Sequence, residues 1–143
     1  MQAEHILRRK GRRTITIGPD ATLKEASNML SKHDIGALVV TDETDRIVGV
    51  LSERDIVRQI SERGPVALRL TVENAIEDEP ATCTPDDSVK DLMEFVTRER
   101  VRHLPVLNDG KLDGVISVGD LLKSRMEEME TEKQVLRDRL MGS

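Results

Sequence analysis

Hydrophobic and polar positions change period along this chain in a fixed order, and the order occurs twice. Residues 14–17 form a short β-branched stretch that Pro19 stops. The spacing then becomes helical. Thr22 with Glu25, and Ser88 with Asp91, have capping-box spacing. Val89, Leu92, Met93 and Val96 fall at i, i+3, i+4 and i+7, which is one helical face. Two strand-like stretches follow in each copy, 37–41 with 46–51 and 104–107 with 111–116. Asn108-Asp109-Gly110 joins the second pair, and Asp-Gly between apolar runs predicts a hairpin. A second helix is expected to start at Ser52 and at Ser117. Each copy therefore reads strand, helix, strand, strand, helix.

The two copies hold register. Pro19-Asp20 recurs as Pro85-Asp86, 66 positions later, and Lys24, Leu38 and Val40 recur as Lys90, Leu104 and Val106. One residue is lost in the turn. Gly49-Val50, Ser52 and Asp55 then recur as Gly114-Val115, Ser117 and Asp120. A unit this short buries too little surface to stand alone. The expectation is an α/β (α+β) chain of two repeats packed sheet to sheet with pseudo-two-fold symmetry, sharing one core, with two equivalent clefts at the seam. The expected organisation is a basic segment at 1–13, repeats at 14–62 and 81–125, a connection at 63–80 and a helical tail at 126–143. In the connection, Val72, Ala75 and Ile76 suggest a short helix. Towards the C-terminus, Leu122, Met126, Met129, Lys133, Leu136 and Leu140 step by 4, 3, 4, 3, 4, a heptad seam with one polar interruption. The seam is short, so packing on a partner chain or on the module's own surface is expected rather than an independent coiled coil.

Composition narrows the function classes. The chain has 143 residues, with 37% hydrophobic and 34% charged, and one Phe but no Tyr or Trp. Its core must be aliphatic, and it lacks rings for base-stacking platforms. A net charge of −5 gives no global positive field for DNA or anionic lipid. Cys83 is the only cysteine, so no intrachain disulfide forms, which fits a reducing cytoplasm. His5, His33 and His103 are far apart, and no Cys/His cluster has zinc spacing, so no metal is expected. No apolar run approaches the roughly 18 residues of a membrane span, and the N-terminus does not read as a secretory signal. No phosphate-binding glycine loop with Lys-Ser/Thr and no nucleophile with a neighbouring base is visible. A non-catalytic protein is expected.

Three runs carry a family resemblance. They are Gly-Val-Leu-Ser-Glu-Arg-Asp from Gly49 to Asp55, Gly-Val-Ile-Ser-Val-Gly-Asp from Gly114 to Asp120, and Arg-His-Leu-Pro-Val from Arg102 to Val106. In this order and duplication the chain resembles the tandem CBS module, or Bateman module, over about residues 14–125. It is similar to small stand-alone bacterial CBS-pair proteins assigned to signal transduction. The resemblance implies two β-α-β-β-α CBS repeats plus a C-terminal helix. It also implies a regulatory, adenosine-containing ligand such as AMP, ADP, ATP, an NAD-type dinucleotide or S-adenosylmethionine. A homodimer and an effector protein are the partners it implies, with no catalytic cofactor. A ligand-free dimerisation module is the alternative.

Ser-x-x-Asp leads each second helix. One reading is a helix cap, with Ser52 and Ser117 as N-caps and Asp55 and Asp120 on the dipole. The other is that both carboxylates accept hydrogen bonds from the two hydroxyls of a ribose, since an ionised carboxylate presents two acceptor oxygens. The readings are compatible. By the family pattern, adenine would lie against Ile17, Gly18 and Ala37 in one copy, and Cys83, Thr84, Leu104 and Pro105 in the other. Ordinary core strand is the competing reading for each. Val50 and Val115 belong to the same motifs, and Gly36 gives room for close approach or a plain strand-entry turn. Phosphate would meet Arg54, Arg102 and His103, with Arg100 just before, or these are surface charges. Gly119 stands where copy one has Arg54, so the two sites are expected to differ. Arg8, Arg9, Lys10, Arg12 and Arg13 read as a solvated run, as a fold-over adding phosphate contacts, or as a nucleic-acid arm.

Overall fold

A computed structural model of the chain describes residues 1–76 and 80–142. Residues 77–79, inside the expected connection, and 143, at the end of the expected tail, lie outside the described residues. The elements in order are α1 (Ala3–Lys10), β1 (Thr16–Ile17), α2 (Leu23–His33), β2 (Ala37–Thr41), β3 (Ile47–Ser52) and α3 (Glu53–Arg63). After two 3₁₀ turns, Gly64–Arg69 and Val72–Asn74, come α4 (Val89–Glu99), β4 (His103–Asn108), β5 (Lys111–Ser117) and α5 (Val118–Leu140). The doubled plan is therefore present, in a mixed α/β chain. Among the described residues, no helix is long and apolar enough to cross a membrane.

The described chain divides into two compact units. One contains residues 13–81 and 109–113, the other residues 1–12, 82–108 and 114–143. In the first unit β1 pairs parallel to β2, with Ile17 opposite Val40. β2 pairs antiparallel to β3, with Ala37 opposite Ser52 and Val39 opposite Val50. One face of this sheet, the apolar stripe of α2, Ile56 of α3 and the second 3₁₀ turn form a core of Ile17, Leu23, Ala26, Leu30, Leu38, Val40, Leu51, Ile56, Val72 and Ala75. The Thr22 hydroxyl oxygen accepts from the Glu25 amide at 3.1 Å, which stops α2 from fraying at its start.

The second unit repeats this with less strand. Where β1 would recur, the described residues form a single parallel bridge, Cys83 opposite Val106. These are the positions 66 beyond Ile17 and Val40, so the register survives although the strand does not. β4 and β5 form a two-stranded sheet. The turn between them places Asp109 at φ 52° and Gly110 at φ 78°, the left-handed pair that a tight hairpin needs. Ser88 caps α4, its oxygen accepting from the Asp91 amide at 3.1 Å.

The N-terminal segment is the main addition. Its charge pattern alone suggests a basic stretch at 1–13, yet it forms α1, because Ala3, Ile6 and Leu7 at i, i+3 and i+4 make a buried stripe. Glu4 in its first turn and Arg8, Arg9 and Lys10 in its last complement the helix dipole. α1 belongs to the second unit, docked by the Ala3 amide donating to the Asp87 carbonyl at 2.9 Å and the Glu4 amide to the Pro85 carbonyl at 3.0 Å. Gly114 lets it approach: a Cβ there would lie 2.6 Å from Leu7 Cδ2. In the connection, Val72 and Ala75 are buried as the pattern implies, but the helix is of the tighter 3₁₀ kind and ends at Asn74.

Candidate functional site

Each unit presents one carboxylate at the junction of a strand and a helix. Ser52 ends β3 in extended conformation and becomes the N-cap of α3, so Asp55 falls at the third helical position. The Ser52 amide donates to Asp55 Oδ2 at 2.8 Å, and the Asp55 amide donates back to Ser52 Oγ at 3.2 Å. Ser117 and Asp120 repeat this at the start of α5, at 2.9 and 3.1 Å. Both boxes are complete, so each carboxylate has a fixed orientation at a helix N-terminus. The cap reading of both Ser-x-x-Asp motifs therefore holds.

Around Asp55 the structure gathers several expected residues. The Gly36 carbonyl accepts from the Glu53 amide at 3.0 Å, tying the entry of β2 to the start of α3. Ala37 lies opposite Ser52 in the sheet. Val50 is half-buried two residues before Ser52, and Arg54 is exposed beside the carboxylate. Ile17 and Gly18 are not in this corner. Ile17 registers with Val40, three residues along β2 from Ala37, or about 10 Å of strand. There, Ile17, Gly18, Pro19, Thr41, Asp42 and Thr44 help line an open hollow of their own.

The second unit is arranged alike. The Arg102 carbonyl accepts from the Val118 amide at 2.9 Å, the counterpart of the Gly36 bond. Arg102 is exposed, His103 and Val115 are half-buried, and Leu104 and Pro105 are buried in β4. Gly119 is exposed next to Asp120. Cys83 sits at the bridge to Val106, its amide donating to the Pro105 carbonyl at 3.0 Å, and Thr84 follows it, exposed. Burial, the larger cause, and the nearby Asp87 charge push the Cys83 thiol up to about 12.

The two carboxylates differ in their cations. Asp55 Oδ1 accepts from Arg58 at 2.6 Å, one turn along the same helix. Arg58 is not among the residues that the sequence motifs single out, and its i, i+3 spacing from Asp55 is the signal that could find it. Asp120 Oδ2 instead accepts from Lys10 Nζ at 2.7 Å, from α1, and the same ammonium donates to the Val115 carbonyl at 2.9 Å. Burial is the largest influence on the Asp120 carboxyl and works to raise its pKa. The Lys10 hydrogen bond, the Ser117 amide, the Lys10 charge and the Ser117 hydroxyl together outweigh it, and the carboxyl is held below its ordinary value. Of the basic run, Lys10 thus folds back onto a candidate site, while Arg9 pairs with Glu127 and Arg12 with Glu4.

The units also match on their outer helices. A shallow groove runs along α3 past Glu53, Arg54, Val57, Arg58, Ser61 and Glu62. Another runs along α5 past Gly119, Leu122, Lys123, Met126, Glu127 and Glu130. Val57 and Leu122 occupy equivalent positions, 65 apart, and both are exposed. Met126, Met129, Leu136 and Leu140 of the heptad seam are exposed as well. Among the described residues, no group of three or more His, Cys, Asp or Glu side chains is placed to hold a metal ion.

Comparison with known proteins gives the same doubled pattern. The model of the CBS domain matches residues 5–62 and 72–127. A 17.7 kDa protein of Acidianus ambivalens, from the bps2 3′ region, is 33% identical over 112 residues, covering 78% of this chain. The chain spans 66% of that relative's own length. The crystal structure of the CBS-domain containing protein ATU1752 from Agrobacterium tumefaciens superposes with a TM-score of 0.84 at 38% identity, covering 87% of this chain and 99% of that one. The CBS domain protein PAE2072 from Pyrobaculum aerophilum, solved in complex with AMP, superposes with a TM-score of 0.74 at 30% identity, covering 84% and 89%.

Proposed function

The chain belongs to the CBS-domain family, and from that premise we propose that it is a regulatory module which binds an adenine nucleotide of AMP, ATP or NAD type and passes the bound state to a partner protein. The observation that carries this reading is the pair of rigid carboxylates, Asp55 and Asp120. Each is fixed by a complete capping box beside helix N–H groups that favour an anion. A ribose diol would donate to the carboxylate while its phosphate meets the helix end, with Arg54 and Arg102 exposed nearby. At the β1 end and its counterpart, the exposed Gly18 and Thr84 would face the base, with Ile17 and Cys83 buried behind them. The AMP complex of the Pyrobaculum aerophilum relative supports the ligand class. The protein acts without catalysis, in the cytoplasm, as a homodimer. The exposed apolar positions on α3 and α5 supply the dimer surface.

A second reading has one observation in its favour. Arg58 and Lys10, from the chain itself, already partner Asp55 and Asp120, as in a dimerisation module whose sites are vestigial. A thermal-shift screen with AMP, ATP, NAD and S-adenosylmethionine separates the two. A ligand at about 100 times its Kd stabilises by roughly 2.7 kcal/mol. A shift with at least one nucleotide supports the sensor, and no shift with any of them supports the vestigial module.

A further inference from the structure

We infer that Lys10 sets the ligand class at Asp120, restricting that site to adenosine ligands that carry an anionic phosphate. This rests on the ribose reading of Asp120 and goes beyond it to name the selecting residue.

Lys10 is placed, not incidental. The burial of Ala3, Ile6 and Leu7 holds α1 on the second unit, and the Arg9–Glu127 pair ties its last turn to α5. The ammonium then bridges Asp120 Oδ2 and the Val115 carbonyl. Asp120 Oδ2 also takes the Ser117 amide, so two of the carboxylate's roughly four acceptor positions are filled on that oxygen. A ribose that engages both oxygens must take the place of the lysine.

The charge of the incoming ligand decides whether that exchange is favourable. A neutral diol replaces a hydrogen bond charged on both sides with bonds charged on the carboxylate alone. It also leaves an ammonium without its carboxylate, next to the positive end of α5. A nucleotide brings its own anion. Its phosphate can take up the displaced ammonium and the helix end together, exchanging one ion pair for another. Phosphorylated adenosine is therefore accepted where adenosine is penalised.

The Asp55 carboxylate is held differently. Its cation, Arg58, rides on the same helix as the carboxylate.

The test isolates the Asp120 site in an Asp55→Asn background and titrates AMP and adenosine by calorimetry. AMP is expected to bind roughly tenfold or more tightly than adenosine, the scale of one charged hydrogen bond. Lys10→Gln in that background is expected to weaken AMP, strengthen adenosine and bring the ratio near one, while Lys10→Arg keeps the preference. A ratio unchanged by Lys10→Gln overturns the inference, and so does an equal tightening of both ligands, which makes the lysine a mere competitor. Circular dichroism checks that each variant is folded. Failure of both ligands to bind the unmutated protein overturns the ribose reading itself, and this inference with it.

Discussion

The amide of Val72 donates to the carbonyl of Ala21 at 2.8 Å, and the amide of Ala3 donates to the carbonyl of Asp87 at 2.9 Å. Ala21 and Asp87 are equivalent positions of the two repeats. The match extends on both sides. Leu23 donates to Leu70 as Val89 donates to Met1, each at 2.9 Å, and Glu73 to Pro19 as Glu4 to Pro85, each at 3.0 Å. So the segment that precedes one repeat closes the start of the first helix in the other. Val72 and Ala75 are buried on the first unit as Ala3 and Ile6 are on the second. The N-terminal helix is thus structural as well as basic.

Truncating that helix should cost stability in the second unit. Leu7 is fully buried, and Leu7→Ala is expected to lower the unfolding free energy by about 2–5 kcal/mol, the usual range for a buried leucine. Urea denaturation measures the loss, and hydrogen exchange should show weakened protection at Val89 and its neighbours. Gly114→Ala, whose Cβ would collide with Leu7, should also destabilise, by about 1–3 kcal/mol. Combined with Leu7→Ala it should cost less than the sum, because the shorter side chain makes room.

Much of this architecture is legible in the sequence, for reasons that particular residues make clear. Asp109-Gly110 announces its hairpin because few residue pairs tolerate two left-handed conformations in succession. Ser52 and Ser117 announce helix starts because the cap is a local interaction three residues long. The Ala3, Ile6, Leu7 stripe is just as local, but the five basic residues beside it favour the picture of a solvated arm. Lys10 cannot be matched to Asp120 from sequence, since 110 residues separate them and only the docking of α1 joins them. The separation of Ile17 from the Asp55 corner likewise depends on strand register, which the apolar pattern alone does not reveal.

Cys83 should be inert in the folded protein. Its thiol is buried and pushed up to about 12, so it stays protonated at pH 8 and reacts slowly with iodoacetamide. Unfolding in urea should return it to the ordinary range near 8.5 and make it react. Because the folded value is the higher one, the thiol's contribution to stability is full below about pH 8.5 and declines above it, as the unfolded thiol ionises. Fast labelling without denaturant would contradict the burial of Cys83.

Asp120 works in the opposite direction. Its folded pKa lies below the ordinary carboxylate value, so its stabilisation is present above about pH 3.9 and is lost as pH falls through the folded pKa. Asp120→Asn should flatten the fall in unfolding free energy on acidification below about pH 4, and Lys10→Gln should do so in part. An acid profile identical to that of the unmutated protein would show that the Lys10–Asp120 contact contributes nothing in solution.

The dimer proposal makes its own demand on α3 and α5. Val57 and Leu122 are exposed at equivalent positions, so Val57→Glu with Leu122→Glu should place charge on both matching faces. Light scattering after size exclusion should then report the mass of one chain where the unmutated protein reports two. A doubly substituted protein that remains a dimer would move the interface elsewhere, with the exposed α5 seam the next surface to alter.

Calorimetric titration of AMP into the unmutated protein and into the Asp55→Asn, Asp120→Asn double variant tests the ligand account at its root. The account predicts saturable binding to the first and none to the second, with both proteins folded by circular dichroism. Equal affinity in the two, or no binding to the unmutated protein, contradicts it.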